Sequence, residues 1–338
     1  MHRIKLYPPR NNAFVLPDIQ VSSATLFGAL TNNYVLLHGA ERFPELLQYI
    51  HEGLRLSCIF PALQIAEKEI FFLPKPFIAY QADRPENEDE YPDKKALKKL
   101  RWFSEGLLKR LRTHIKEKDG RIVHTLNLED DSNLIIGGQF ALTASEIGME
   151  KPPARLKELN LFSKNVLPRA GVPRFGGAAE PFHQREISLP CRIINGKSFR
   201  LFFYYLEKNT PDSTKWQAVR ELFAEEGIGG LRSLGKGYFE KTEVEEPEWH
   251  LATGRQMLLS DTIPQKQELS SILSYDFRRD DGFITFGQAT EYKKSALYLI
   301  KAGAVLKDRI NGRMVEEKIG GRTLYRYGLA MSCSLNGV

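Results

Sequence analysis

Ser22-Ser23-Ala24-Thr25-Leu26-Phe27-Gly28-Ala29-Leu30 is the stretch on which the fold turns. Ser22 or Ser23 offers a hydroxyl that can accept from the free amides of a helix start. Leu26, Phe27, Leu30, Tyr34 and Leu37 then fall on one side at helical spacing. Working outward, Ile4–Tyr7 reads as a strand before this helix and Pro44–His51 as a second helix. The apolar runs Leu54–Phe60 and Glu69–Leu73 read as strands. A strand, helix, strand, strand opening points to an α+β fold of the ferredoxin-like, or RRM-like, kind.

The second half repeats the theme. Glu186–Ile194 and Ser198–Glu207 read as strands joined across Asn195-Gly196, a dipeptide that accepts the positive φ of a tight hairpin. A helix from Asp212 to Glu226 would turn Trp216, Val219, Leu222 and Phe223 inward. Strand-like pieces follow at Leu251–Leu259, Ser271–Arg278, Phe283–Phe286 and Ser295–Ile300. The expected architecture is two ferredoxin-like domains in series, residues 1–149 and 187–338. Between them, 150–186 is a flexible basic arm or hairpin.

Charge is distributed unevenly. The whole chain, 338 residues, carries a mild net charge of +6, which by itself identifies no partner. Residues 81–93 are net −5 and read as a solvated loop, whereas 94–121 are net +8. Leu97, Leu100, Phe103, Leu107, Leu111 and Ile115 predict one helix there with a basic outer face. A solvated face is the plainer reading of such a run, ahead of RNA contact. In 151–185 seven basic residues face two acids amid dense proline and glycine. Excursions longer than about 15 residues tend to be functional or disordered, and an inter-domain linker is the plain alternative.

Cys58, Cys191 and Cys333 lie far apart with no CxxC spacing, so a disulfide framework or zinc site is not expected, and a reducing, cytoplasmic compartment is. No run approaches the roughly 18 apolar residues of a membrane span.

The motif that bears on chemistry is 227–237, Gly-Ile-Gly-Gly-Leu-Arg-Ser-Leu-Gly-Lys-Gly. Its five glycines permit positive φ and close approach by another chain, and successive amides can turn toward one anion. Arg232, Ser233 and Lys236 add donors suited to phosphodiesters. Gly230 to Lys236 also fits GxxxxGK, the nucleotide-triphosphate loop. Position 237 is Gly where that loop needs Ser or Thr for magnesium, and the order is helix, loop, strand instead of strand, loop, helix. Nucleotide hydrolysis is rejected. A helix-stopping turn is the plain alternative, since Gly227 suits the residue after a helix end.

Here the chain resembles a known family. The helix followed by Gly229-Gly230-Leu231-Arg232-Ser233-Leu234-Gly235-Lys236-Gly237 is similar to the glycine-rich loop of the RAMP proteins, RNA-binding subunits of CRISPR effector complexes. Ser23 to Leu30 resembles the family's S-D-T-L-F-x-A-L helix, with Ala24 in place of the Asp. Phe72-Leu73-Pro74-Lys75-Pro76 resembles its L-P-K-P element, Val172-Pro173-Arg174 a mid-chain arginine motif, and Ala302-Gly303-Ala304-Val305 a closing G-S-V strand with Ala304 replacing Ser. These motifs run in order over nearly the full chain. They resemble most the fourth-subunit family of type III-A Csm complexes, with the third-subunit family of type III-B Cmr complexes as the alternative.

The resemblance implies a non-catalytic subunit that binds the 5′ repeat-derived tag of the guide RNA. It also implies contact with the large polymerase-like subunit and the repeated backbone subunit. The residues it and the loop nominate for RNA are Gly229, Gly230, Arg232, Ser233, Gly235, Lys236, Gly237, Arg174, Ser23, Lys75, Arg169 and His183. No catalytic residue, metal or other cofactor is expected. The rival is a guide-processing endoribonuclease of the same superfamily, in which His183 would be the base. Glu129-Asp130-Asp131 reads as a polar turn, and Glu243–Glu248, net −4, as solvated or facing a basic partner.

Overall fold

The computed structural model describes residues 1–10, 12–81, 92–111, 115–118, 121–125, 133–148, 154–171, 178–211, 214–247, 254–286 and 290–335. Its centre is one antiparallel sheet built from both halves of the chain. Strand His2–Tyr7, helix Ser23–His38 and strand Phe60–Ile65 supply one half. Strand Lys197–Lys208, helix Thr214–Glu226 and strand Lys241–Glu245 supply the other. Across the sheet the order is Phe60–Ile65, Lys197–Lys208, His2–Tyr7, Lys241–Glu245, each antiparallel to its neighbour.

That is a single β-α-β-β-α-β unit, so the expectation of two domains in series is corrected. The strands after residue 187 complete the first unit and do not start a second. The cause is legible in Ser198-Phe199-Arg200-Leu201-Phe202-Phe203-Tyr204-Tyr205-Leu206. Seven consecutive residues beyond Arg200, Leu201 to Glu207, are buried, which demands a strand covered on both faces at the sheet centre.

The opening helix starts as expected. The Ser22 Oγ accepts from the Thr25 amide at 3.1 Å, and Leu26, Phe27, Leu30 and Tyr34 are buried. Leu37, expected inward, is exposed, as is Leu36. In the later helix Trp216, Val219 and Phe223 are buried as expected, with Ala224, whereas Leu222 is only partly so.

Between the two halves the sheet is extended by Lys68–Pro74, Trp102–Ser104, Phe140–Thr143 and Asn133–Ile136, in that order. The single basic helix does not form. Pro92–Lys99 is a helix, Trp102–Ser104 a strand, Glu105–Leu111 a second helix, and Ile115 begins the strand Ile115–Lys118. Trp102 and Phe103 fill the sheet between Pro74–Leu73 and Phe140–Ala141, and the Ser104 Oγ then caps the next helix by accepting from Leu107 N at 3.1 Å. Apolar spacings of three and four survive this break, so periodicity alone could not reveal it.

The stretch read as an arm or hairpin, 150–186, contains an antiparallel strand pair that begins at Ser163 and runs on to Ser188. Strands Ser163–Gly171 and Glu180–Ser188 pair in register from Ser163↔Ser188 to Gly171↔Glu180. At the base, Ile187 and Ser188 pair with Phe14 and Ala13. The strand expected over Glu186–Ile194 is therefore divided. Its start belongs to this hairpin, and Arg192–Ile194 turns through Asn195-Gly196, both at positive φ, into Lys197–Lys208.

The described residues 254–335 contain no α-helix and are not ferredoxin-like. They form a four-stranded sheet ordered Ile272–Ser274, Val305–Leu306, Gln256–Leu258, Ser332–Ser334, plus the long hairpin Phe277–Phe286 with Thr290–Ile300. This part shares the main hydrophobic core. Tyr327 stacks on Phe27 with ring centroids 5.0 Å apart, and its hydroxyl accepts from the Leu56 amide at 2.8 Å. Among the described residues no helix is long and apolar enough to cross a membrane.

Candidate nucleic-acid interface

The glycine-rich loop joins the second helix of the central unit to its edge strand, so the helix, loop, strand order stands. Gly227, Gly229, Gly235 and Gly237 have positive φ, and so does Leu231. Three of these glycines serve the fold. A Cβ on Gly227 would run into the Gly237 carbonyl, one on Gly237 into the Ile228 carbonyl, and one on Gly229 into the Val15 carbonyl. Around Gly235 there is open space.

The loop amides are also committed differently from the sequence reading. Gly230 N donates to Val15 O at 3.0 Å and Gly237 N to Ala13 O at 3.2 Å. Ile228, Leu234, Gly235 and Lys236 donate to carbonyls within the loop. What the loop displays is the short 3₁₀ turn Arg232–Leu234, in which Arg232, Ser233, Leu234 and the following Gly235 are exposed. The turn therefore presents the side chains of Arg232, Ser233 and Leu234 at the surface, while most of the other loop amides are held by backbone carbonyls.

Two of the expected cations meet on an acid that sequence reasoning passed over. Glu186, at the hairpin base, is only 4% exposed. Its carboxylate lies 3.3 Å from Lys236 Nζ and 3.4 Å from Arg169 Nη2, and accepts from Gln184 Nε2 at 2.9 Å. Arg232 pairs with Glu226 at 3.2 Å on the surface. His183 sits opposite Pro168 on the exposed outer part of the hairpin. Arg174 and Glu129-Asp130-Asp131 lie outside the described residues.

A second region gathers the other motifs around a cleft of about 530 Å³, lined by Asp18, Ser22, Lys75, Arg101, Asp261 and Arg278 among others. Ser23 is fully buried. Its Oγ accepts from the Asp261 amide at 3.0 Å and lies 3.2 Å from the Asp261 carbonyl, so it ties the opening helix to the C-terminal sheet and is not placed to touch RNA. Gly303 accepts through its carbonyl from Phe77 N at 2.9 Å, joining the closing motif to the Leu-Pro-Lys-Pro element.

Lys75 lines the cleft. Its Nζ donates to Leu97 O at 2.6 Å and lies 4.6 Å from the Tyr80 ring centroid, and burial pulls its pKa below the usual lysine value. Arg101 grips Asp18 with two bonds of 3.0 and 2.5 Å, and Lys164 of the hairpin reaches the same carboxylate at 3.5 Å. Burial opposes charge on Asp18, but the Arg101 guanidinium outweighs it and holds the carboxyl below its ordinary value. Asp261 is held above its ordinary value by burial, against the Arg278 guanidinium 3.1 Å away.

The acidic run is not simply solvated. Glu243 and Glu245 line the edge strand and pair with Lys5 and Arg3 of its neighbour, while Tyr7 donates to Glu69 and Glu243. Alternation along a strand, which puts Arg3, Lys5 and Tyr7 on one face, was the available signal for this network. Among the described residues, no group of three His, Cys, Asp or Glu could hold a metal ion.

Residues 252–335 match the family model of the CRISPR Csm4 C-terminal domain. The chain is 23% identical over 312 residues to the CRISPR system Cms protein Csm4 of Methanocaldococcus jannaschii, covering 86% of this chain and 80% of that protein. It is similar in fold to a chain of the Csm3-Csm4 subcomplex of a type III-A CRISPR-Cas interference complex. That match has a TM-score of 0.68 and 22% identity, with 98% of this chain and 99% of the other covered. A chain of a Csm1-Csm4 cassette in complex with cA4 matches with a TM-score of 0.56 and 17% identity, covering 100% and 98%. With the C-terminal domain, the near-full-length relative and the shared fold in agreement, residues 252–335 match the Csm4 C-terminal domain and the chain as a whole is similar in sequence and fold to Csm4 proteins, the fourth subunits of type III-A CRISPR systems.

Proposed function

We propose that the chain is a non-catalytic RNA-holding subunit of a type III-A CRISPR interference complex, working in the cytoplasm. It holds the 5′ repeat-derived tag of the guide RNA and joins the large polymerase-like subunit to the first backbone subunit. The joining role follows the company its relatives keep, since those solved structures pair a Csm4 with Csm3 and with Csm1. The RNA-holding role rests on one observation: the loop lysine and the hairpin arginine meet on one carboxylate beside the exposed Arg232–Leu234 turn. Cations clustered on one surface are what a polyanion recognises, whatever the net charge of the chain.

In this reading Arg232, Ser233, Lys236, Arg169 and Arg174 meet phosphates, Gly235 leaves room for the backbone, and His183 lies along the same path. Lys75 contributes through its cleft. The test is reconstitution of the chain with both neighbour subunits and a guide RNA. Assembly into one particle, with the tag protected from nuclease only when this chain is present, is expected. A tag equally protected without the chain overturns the RNA role, and guide cleavage abolished by His183→Ala overturns the non-catalytic one.

A further inference from the structure

Three segments distant in sequence are fastened together at the foot of the hairpin. Ala13 and Phe14 pair with Ser188 and Ile187, while the carbonyls of Ala13 and Val15 accept from the amides of Gly237 and Gly230. The short 13–15 segment is therefore a seam with the hairpin on one side and the glycine-rich loop on the other. Glu186 stands next to this ladder and reaches across the seam to Lys236, while also receiving Arg169 from the opposite hairpin strand.

A buried carboxylate is costly unless compensated, and here the compensation comes from the two cations whose side chains remain 29% and 42% exposed. An ammonium has three donors and a guanidinium five, so one contact each to Glu186 leaves both able to bind a second anion.

We infer that Glu186 is a positioning residue, holding Lys236 of the loop and Arg169 of the hairpin as one rigid pair so that both meet the same run of RNA phosphates. This rests on the RNA-holding reading above and deepens it. Long cationic side chains lose conformational freedom when they bind. A carboxylate that already fixes them reduces that loss. The same carboxylate also carries a negative charge close to the phosphate path, so its removal could shift affinity in either direction. The sign of that shift decides between a positioner and a mere shield.

The experiment has an RNA-free arm and an RNA arm, both on the full chain. Thermal melting is measured for Glu186→Gln, Lys236→Met and the double variant. The expected outcome is that Lys236→Met lowers the midpoint in the wild-type background but not in the Glu186→Gln background, where the charge it answers is gone. Equal shifts in both backgrounds would show that no tether exists, and would overturn this inference while leaving the RNA reading in place.

In the RNA arm, binding of a single-stranded RNA carrying the 5′ tag is measured for Arg169→Ala, Lys236→Ala and the pair, with and without Glu186→Gln. Glu186→Gln should weaken binding about threefold to tenfold, corresponding to the ordering of one or two side chains. Glu186→Asp, which keeps the charge, should recover part of it. The Arg169 and Lys236 effects should be coupled in wild type and independent once Glu186→Gln is present. Tighter binding by Glu186→Gln would make the carboxylate a shield and overturn positioning. Unchanged affinity in both Arg169→Ala and Lys236→Ala, with the thermal coupling intact, would sink the RNA role of this surface and the inference with it.

Discussion

The glycine-rich loop and the Lys75 cleft both carry motif residues, yet the two regions use them in opposite ways. In the cleft, Ser23 is buried against the Asp261 backbone and Gly303 bonds to Phe77, so the motifs fasten the opening helix to the C-terminal sheet. In the loop, glycines shape the backbone and push Arg232, Ser233 and Leu234 outward. Motif residues therefore serve the fold in one region and stand at the surface in the other, and burial and partners tell which.

The largest contrast lies inside the loop itself. Gly237→Ala places a Cβ against the Ile228 carbonyl at positive φ, and should cost about 3 kcal/mol or more. Gly235→Ala, whose Cβ meets open space, should cost only about 1–2 kcal/mol from its left-handed backbone angle. Denaturant melts of the two variants check this. Equal losses would mean that the loop is not divided into a structural seam and an exposed turn.

Ser23→Ala comes next. A buried hydroxyl that serves both backbone groups of Asp261 should be worth about 1–3 kcal/mol, with no effect on the salt dependence of RNA binding. A changed salt slope at unchanged stability would return Ser23 to the RNA contacts.

A smaller effect tests the cleft by pH. The Asp18 carboxyl is held below its ordinary value, so the folded state binds its proton less readily than the unfolded chain. Its contribution is present above the unfolded value, about pH 4, and is lost as pH falls through the lower folded value. Asp18→Asn should lose on the order of 1 kcal/mol at neutral pH, since Asp18 and Arg101 are each about a third exposed. The difference from wild type should shrink below pH 4. A gap that persists in acid would show that Asp18 acts through packing and not through its charge.

What the sequence made legible follows the range of the forces involved. The capped opening helix, the Asn195-Gly196 turn and the helix before the loop are set by neighbours within a few residues, and could be read directly. The pairing of Lys197–Lys208 with Phe60–Ile65 and His2–Tyr7 spans more than a hundred residues, so two local α+β patterns looked like two domains. The loop, Arg169 and Lys236 were visible as residue types, whereas Glu186 was not. One acid at the foot of a basic hairpin has no signature until the fold brings Lys236 fifty positions back to it.

The smallest expected effect on stability belongs to Arg232→Ala, and it separates display from architecture most cleanly. Arg232 is exposed, it begins the 3₁₀ turn, and its guanidinium pairs with Glu226, which is 45% exposed. Ion pairs of that kind contribute at most about 1 kcal/mol, so melting should barely move. Each phosphate neutralised on a single strand contributes about 0.7 to the slope of log affinity against log salt. Arg232→Ala should therefore lower the slope for tag RNA by about 0.7 while Ser23→Ala leaves it intact. Releasing Glu226 adds a free negative charge near the loop, which would weaken binding even without a lost phosphate contact. Arg232→Ala combined with Glu226→Gln removes that complication, since it abolishes both members of the pair. A slope restored to wild type in the double variant would mean that Arg232 only masks Glu226, and that the turn displays no phosphate contact of its own.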